Sequence, residues 1–245
     1  MTTLSRIRSA ITSGAKRLIN GVLDPLGCRV VPNHSFDVFD AIVHRFNRPG
    51  FTFVQIGAND GKRFDPIFQY VTRYGWKGYA LEPISEYFQE LKRNYSQHPQ
   101  VTCCQVAIYE KDGPLTLYRV DPTASDLPEW SKGIASVFQD HHHKSGTPSD
   151  KMIAEEVQGQ RFETFIASHG ISRCDLLQID TEGYDYHILK MIDFDRWAPS
   201  IIRFEHGMTD RIMSAEQFSE VAQLLARNGY DFFVGQFDCY AAKRG

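Results

Sequence analysis

The sequence predicts an α/β fold built on an open, mostly parallel sheet. Three observations predict it. Short runs of β-branched and aromatic residues alternate with segments of helical apolar period. The connections between them are short, as parallel crossovers require. The alternation ends in two strands close enough to form a hairpin, Asp231 to Val234 and Cys239 to Ala242.

Composition sets the frame. At 245 residues the chain can hold one substantial core and an extension. A net charge of −3 gives no general attraction to nucleic acid. No apolar run approaches the ~20 residues that cross a bilayer. The five cysteines, Cys28, Cys103, Cys104, Cys174 and Cys239, form no C-x-x-C pair. With no secretory signal pattern, they point to a reducing, cytoplasmic setting.

In chain order, residues 1–34 form a basic extension. Ile7, Ile11, Leu18, Ile19 and Val22 recur on one side, with Arg6, Arg8, Lys16 and Arg17 between them. This is a basic amphipathic helix. It packs on its own domain or on a twin subunit in a homodimer. The sharper alternative is peripheral contact with a membrane surface or a lipid-linked substrate.

Residues 35–245 form the main domain. Ser35 can cap a helix carrying Phe39, Ile42, Val43 and Phe46. Phe51 to Ile56 is a buried strand by length and content. Asp65 and Pro66 open a helix with Ile67, Tyr70, Val71 and Tyr74 on one face. Gly78 to Leu81 is the second strand, Ser85 starts the next helix, and Val101 to Tyr109 reads as one third strand. Leu115 to Tyr118 is an extra strand. The polar stretch 121–160 reads as a lid or substrate loop. The rhythm returns with a helix near Phe162 to His169, a strand at Leu176 to Ile179, a helix from Tyr184 to Ile192 and a strand at Ile201 to Phe204. Ser214 and Gln217 bracket a capping box, and its helix stops at Asn228-Gly229.

In an open parallel sheet, ligands bind beyond the carboxyl ends of the strands. After the first strand comes Gly57-Ala58-Asn59-Asp60-Gly61, whose glycines allow a tight turn and close approach. Glu82, followed by Pro83, ends the second strand 25 residues after Gly57. That is near the ~20 expected of an acid gripping a ribose diol. Ala107 leaves space for a flat base. The loop lacks the G-x-G-x-x-G of a dinucleotide site, and Asp60 puts charge where a pyrophosphate would sit. S-adenosylmethionine (SAM), with an ammonium and a sulfonium, suits the acids better than NAD does. A nicotinamide-dependent oxidoreductase and a non-catalytic nucleoside-binding module are the alternatives.

Three segments carry a family resemblance: Val54-Gln55-Ile56-Gly57-Ala58-Asn59-Asp60-Gly61, Leu81-Glu82-Pro83, and Gln178-Ile179-Asp180-Thr181-Glu182-Gly183. Fainter echoes are Val106-Ala107-Ile108, Ala135-Ser136-Val137 and Phe204-Glu205-His206. In order and spacing the chain resembles the FkbM-type methyltransferases from about Phe51 to Ala242. The resemblance implies a Rossmann-like class I methyltransferase fold, a seven-stranded mostly parallel sheet with an antiparallel terminal hairpin. It implies SAM as cofactor, O-methylation of a hydroxyl on a sugar, glycan or secondary metabolite, and contact of Ser136 with the cofactor. Two positions depart from the commoner pattern: Gln55 stands where Asp is frequent and Gln178 where Lys is frequent.

Methyl transfer needs the acceptor held in line and its proton removed. Asp180 and Glu182 follow the fourth strand of the alternation, and Glu205 and His206 end the fifth, so these groups face one cleft. Asp180 and Glu182 are expected to orient the acceptor, with His206 or one of the carboxylates as base. A second possibility is Mg²⁺ held by Asp180, Glu182 and Glu205. The plainer alternative is that Glu182 caps the next helix and Glu205 pairs with an arginine. His141-His142-His143 reads as polar lid rather than zinc site, since consecutive residues rarely reach one ion. A nucleic-acid acceptor would want a basic, aromatic-lined groove, and none is found outside the N-terminal helix.

Overall fold

The computed structural model describes residues 37–124, 126–143, 146–208 and 212–244. The chain divides into two compact units, Met1–Arg48 and Pro49–Gly245. In the first, helix α1 (Val38–Phe46) starts at Asp37, whose carboxylate accepts from the Asp40 N–H at 3.0 Å. The cap is thus Asp37; Ser35 and the basic helix expected over Ser5 to Leu23 lie outside the described residues.

The second unit opens with β1 (Thr52–Ile56), α2 (Phe68–Tyr74), β2 (Lys77–Leu81), α3 (Ser85–Asn94) and β3 (Val101–Cys104). The Asp65 carboxylate accepts from the N–H groups of Ile67 and Phe68, so it caps α2 although the regular turns begin at Phe68. After β3 come β4 (Ala107–Ile108), β5 (Gly113–Val120), β6 (Ala135–Ser136), β7 (Met152–Gln160) and α4 (Phe162–Ser168). The chain then continues through β8 (Leu176–Ile179), α5 (Asp185–Met191), β9 (Ile201–Glu205), α6 (Ala215–Arg227), β10 (Tyr230–Val234) and β11 (Asp238–Lys243). Ser214 closes both arms of the expected capping box with Gln217.

Seven strands form one sheet in the order β10-β11-β9-β8-β1-β2-β3. All pairs are parallel except those made by β11, which runs antiparallel to β9 and β10. This is the expected seven-stranded, mostly parallel sheet with an antiparallel terminal hairpin. Strands β1 and β8 are buried almost throughout, as expected for a sheet covered on both faces. Phe165 of α4, Ile188 and Leu189 of α5, and Val221 and Leu225 of α6 belong to the same apolar cluster as Val54, Leu177 and Ile202.

Two expectations are corrected. The run from Val101 to Tyr109 is not one strand. It breaks at Gln105-Val106, β3 stays with β2, and β4 pairs with β7 in a second sheet ordered β4-β7-β5-β6. The segment 121–160 is not a loop throughout, because β7 pairs with β5 along the whole of that strand. Ile84 and Tyr87 of the α3 region pack on Leu115, Leu117 and Val157 of this second sheet. Among the described residues no helix is long and apolar enough to cross a membrane. Cys103, Cys104, Cys174 and Cys239 are all free thiols.

Candidate active site

Sheet order changes direction between β1 and β8. The chain runs outward from β1 to β3, then returns to place β8 on the other side of β1. At such a switch the loops diverge and leave a crevice beyond the strand ends. Gly57, after β1, and Asp180, after β8, flank it. Glu82 follows β2, and Glu205 ends β9. With strands about 4.8 Å apart, the row from Glu82 to Asp238 at the start of β11 spans about 19 Å. One cavity of about 790 Å³ runs along it and touches Glu82, Gly57, Asp180, Glu205 and Asp238. That volume is ample for a nucleoside with an acceptor beside it.

The half over β1 and β2 has the features of a nucleoside site. Gly57 has φ +78°, and a Cβ there would land on the Asp180 carbonyl oxygen. Its N–H and that of Ala58 both donate to the Leu81 carbonyl, at 3.0 and 2.8 Å, which folds the turn onto β2. Glu82 is 5% exposed and accepts from the N–H groups of Asn59 and Ile84, both at 2.8 Å. Burial pushes its carboxyl up to about 7, against those two donors. Gly57, Ala58, Asn59, Glu82, Pro83 and Ala107 all line the cavity, and Val106, Ile108 and Val137 add apolar wall. The Tyr87 hydroxyl donates to the Lys132 carbonyl, tying a 3-10 turn (Glu129–Gly133) to α3.

Three expected cofactor contacts are not at the cavity wall. Asp60 is buried and turned back on its own loop, accepting from the N–H groups of Lys62 and Arg63 and pairing with the Arg63 guanidinium at 2.6 Å. It is a turn-closing group. Gly61 is needed for packing, since a Cβ there would press on Leu91 and Tyr95. Ser136 is 1% exposed, and its hydroxyl donates to the Glu182 carbonyl at 2.7 Å. It fixes the turn after β8 and does not line the cavity.

The half over β8 and β9 is acidic. Asp180 is half-buried, and its carboxyl is held well above the usual range by burial and by the charges of Glu182 and Asp185. Glu182 lines the cavity and accepts from His141 Nε2 at 3.0 Å. His141 is 2% exposed, so the histidine run is not a solvated lid surface at that point. Sequence reasoning missed Asp185. Its Oδ2 accepts from the Thr181 N–H and hydroxyl, and its Oδ1 from the Glu205 N–H at 3.0 Å. Asp185, not Glu182, secures the start of α5. An acid five residues after a strand-end Asp, at the first position of a helix, was the available signal.

His206 does not reach the cavity. Its Nε2 donates to the Gly235 carbonyl at 3.2 Å, and its Nδ1 accepts from the Met208 N–H at 3.3 Å. Nε2 is committed to the hairpin and Nδ1 to the local turn at Met208, so the ring does not stand where a base on the cavity would. Among the described residues no group of three or more His, Cys, Asp or Glu is placed to hold a metal ion. The Mg²⁺ expectation therefore has no geometric support.

Strain collects at this cavity. The described non-glycine residues with positive φ are Asn59, Phe64 and Glu182, and all three line it. Charge crowding has a measurable cost too. The Glu205 carboxyl is pushed up to about 9 by burial, then by Asp180, Glu182, Asp185 and Asp238. A carboxyl held protonated in the fold adds its full stability below its ordinary pKa of 4.5 and loses it as pH rises through 9. The ligand-free thermal midpoint should therefore fall between about pH 5 and 9. Glu205→Gln should flatten that fall, melting about 4 °C or more above the parent at the alkaline end and level with it at the acid end. Parallel melting curves across pH would reject this assignment.

The family model described as "Methyltransferase FkbM domain" matches residues 55–232. Among solved structures, a methyltransferase FkbM from Methylobacillus flagellatus KT is 12% identical with a TM-score of 0.49, over 78% of this chain and 43% of that one. The present chain thus spans less than half the length of that protein. A precorrin-6y C5,15-methyltransferase from Geobacter metallireducens GS-15 is 10% identical with a TM-score of 0.41, over 87% and 94% of the two chains. No curated protein matches the sequence.

Proposed function

The chain belongs to the FkbM methyltransferases, a SAM-dependent family, and on that premise we propose that it methylates a hydroxyl of a sugar, glycan or secondary metabolite. The observation that carries the reading is the row of strand-end groups, Glu82, Gly57, Asp180 and Glu205, opening on one cavity at the switch between β1 and β8.

The residues present fit the cofactor. Glu82 stands where a ribose diol is gripped, each carboxylate oxygen keeping a lone pair beyond the N–H it already accepts. Gly57 and Ala58 leave backbone open to an amino-acid tail, and Val106, Ala107 and Ile108 offer a slot for adenine. When bound, SAM supplies an electrophilic methyl on a sulfonium. The chain's own groups do the rest. Asp180 accepts the acceptor's proton on a carboxylate oxygen, and its raised basicity suits a weakly acidic hydroxyl. Glu182, fixed by His141 on its side chain and by Ser136 on its carbonyl, orients the acceptor. The second sheet and the turn at 129–133 limit water on the nucleoside side.

Calorimetry with SAM and with S-adenosylhomocysteine tests this directly. Both should bind. At neutral pH the binding of SAM should release protons, seen as heat that changes with the buffer's ionisation enthalpy. The sign follows from Glu205, whose carboxyl burial and its acidic neighbours push up to about 9, so it rests protonated at neutral pH and a nearby cation favours its ionised form. Folded protein that gives heat with neither compound would end the reading.

A further inference from the structure

One polar side chain on the acidic half has nothing in the protein to bond. Gln178 of β8 is in register with Gln55 of β1 and Arg203 of β9, so the three stand abreast on one face of the sheet. Gln178 is 1% exposed and lines the cavity, yet neither its amide nitrogen nor its carbonyl oxygen has a hydrogen-bond partner. Gln55, 2% exposed, donates to Asp65 at 3.2 Å and leaves its own carbonyl oxygen unpartnered. Arg203 is bonded to Asp238 at 2.7 Å.

A buried amide without partners destabilises a fold, and an apolar residue of the same length would not. Asp180 and Glu205, which do the chemistry's charge work, stand at the same strand ends. The unmet groups are therefore best explained by a ligand that meets them. Together they offer one amide NH₂ group and two acceptor oxygens, which calls for a group that can both accept and donate: a hydroxyl pair. The carboxyl groups of Asp65, Asp180, Glu205 and Asp238 line the same cavity, and the guanidinium abreast of Gln178, that of Arg203, is bonded to Asp238, an arrangement that disfavours burying a further carboxylate. At the rim, Phe64 is 83% exposed and Phe237 43%, and both face the cavity with bare rings.

We propose that Gln178, with Gln55 beside it, reads the methyl acceptor, and that this acceptor is an uncharged polyhydroxylated ring rather than an acidic one. The proposal rests on the methyl-transfer reading and narrows its substrate class.

The test uses the full chain with and without S-adenosylhomocysteine, and saturation-transfer NMR with methyl glucoside and with glucuronate as probes. Methyl glucoside should receive saturation and glucuronate little. Gln178→Met and Gln178→Asn, the second withdrawing the amide by one methylene, should each weaken the glucoside signal about fivefold or more. Affinity for S-adenosylhomocysteine should not change. Gln178→Met should also melt about 2 °C or more above the parent, because it removes an unmet buried amide. The proposal is overturned by equal signals in parent and variants, by glucuronate matching the glucoside, or by no glucoside signal at all. It is equally overturned if Gln178→Met melts below the parent, or if either variant loses S-adenosylhomocysteine affinity. Failure of the wider reading looks different: the parent gives no heat with the nucleoside while the glucoside signal survives.

Discussion

Asp180→Asn is expected to lower turnover by about 10²–10⁴-fold while SAM still binds. Asparagine keeps the shape and the hydrogen-bonding reach of the side chain, so the acceptor can still be held. It cannot take a proton. No neighbour replaces it easily, since His206 is committed to Gly235 and Met208, and Glu182 is held by His141. Removing one charge also relieves Glu205, whose carboxyl should then titrate nearer its ordinary value. The variant should accordingly be at least as stable as the parent above neutral pH. Transfer of label from SAM, measured beside calorimetry on the same preparation, separates the two effects. Full turnover in Asp180→Asn would remove Asp180 as base.

Among the described glycines, Gly57→Ala should be the most damaging addition of a methyl. The backbone at position 57 is left-handed, which costs an alanine about 1 kcal/mol. The larger part comes from the Cβ, which would occupy the place of the Asp180 carbonyl oxygen. Either β1 and β8 part at their ends or the turn rotates, and both move the nucleoside site. A total cost of about 3 kcal/mol, or about 6 °C or more in the melting midpoint, is expected, together with loss of SAM binding. Gly75→Ala is the control. It has a similar φ of +65° with nothing within 4 Å of its Cβ, so it reports the backbone cost alone. Equal destabilisation at the two sites would show that the contact with Asp180 is not what matters.

The parts of this architecture that the sequence discloses are those where local chemistry and burial agree. Strands β1 and β8 are short apolar runs bounded by turn residues, and they lie where their composition puts them. Glu82 and Asp180 end strands, and the fold brings them to one cavity. The misses have a common cause in distant partners. Val101 to Tyr109 is mostly apolar, with a polar interruption at Gln105, and the pairing of Ala107 and Ile108 with β7 is what breaks it there. Strand β7 hides in a polar segment because just Val157 and Gly159 of its nine residues are buried, so no two-residue apolar period shows. At Asp60 the expected ligand contact gives way to a turn. Its bonds to the N–H groups two and three residues on decide for the turn, a local habit of Asp. His206 follows a strand end as a base would, but the hairpin that claims its ring lies about thirty residues later in the chain.

Asp185 has a consequence for how this chain could acquire new substrates. By bonding Thr181 on one side and the Glu205 backbone on the other, it welds the ends of β8 and β9 into one piece. On the proposed reading, the main chain at this end of the cavity then resists widening or narrowing to suit a different molecule. Diversification has to proceed by exchanging side chains on a fixed frame, at places such as 178, 203 and 237, and a selection for altered substrate range should collect its mutations there while sparing 185.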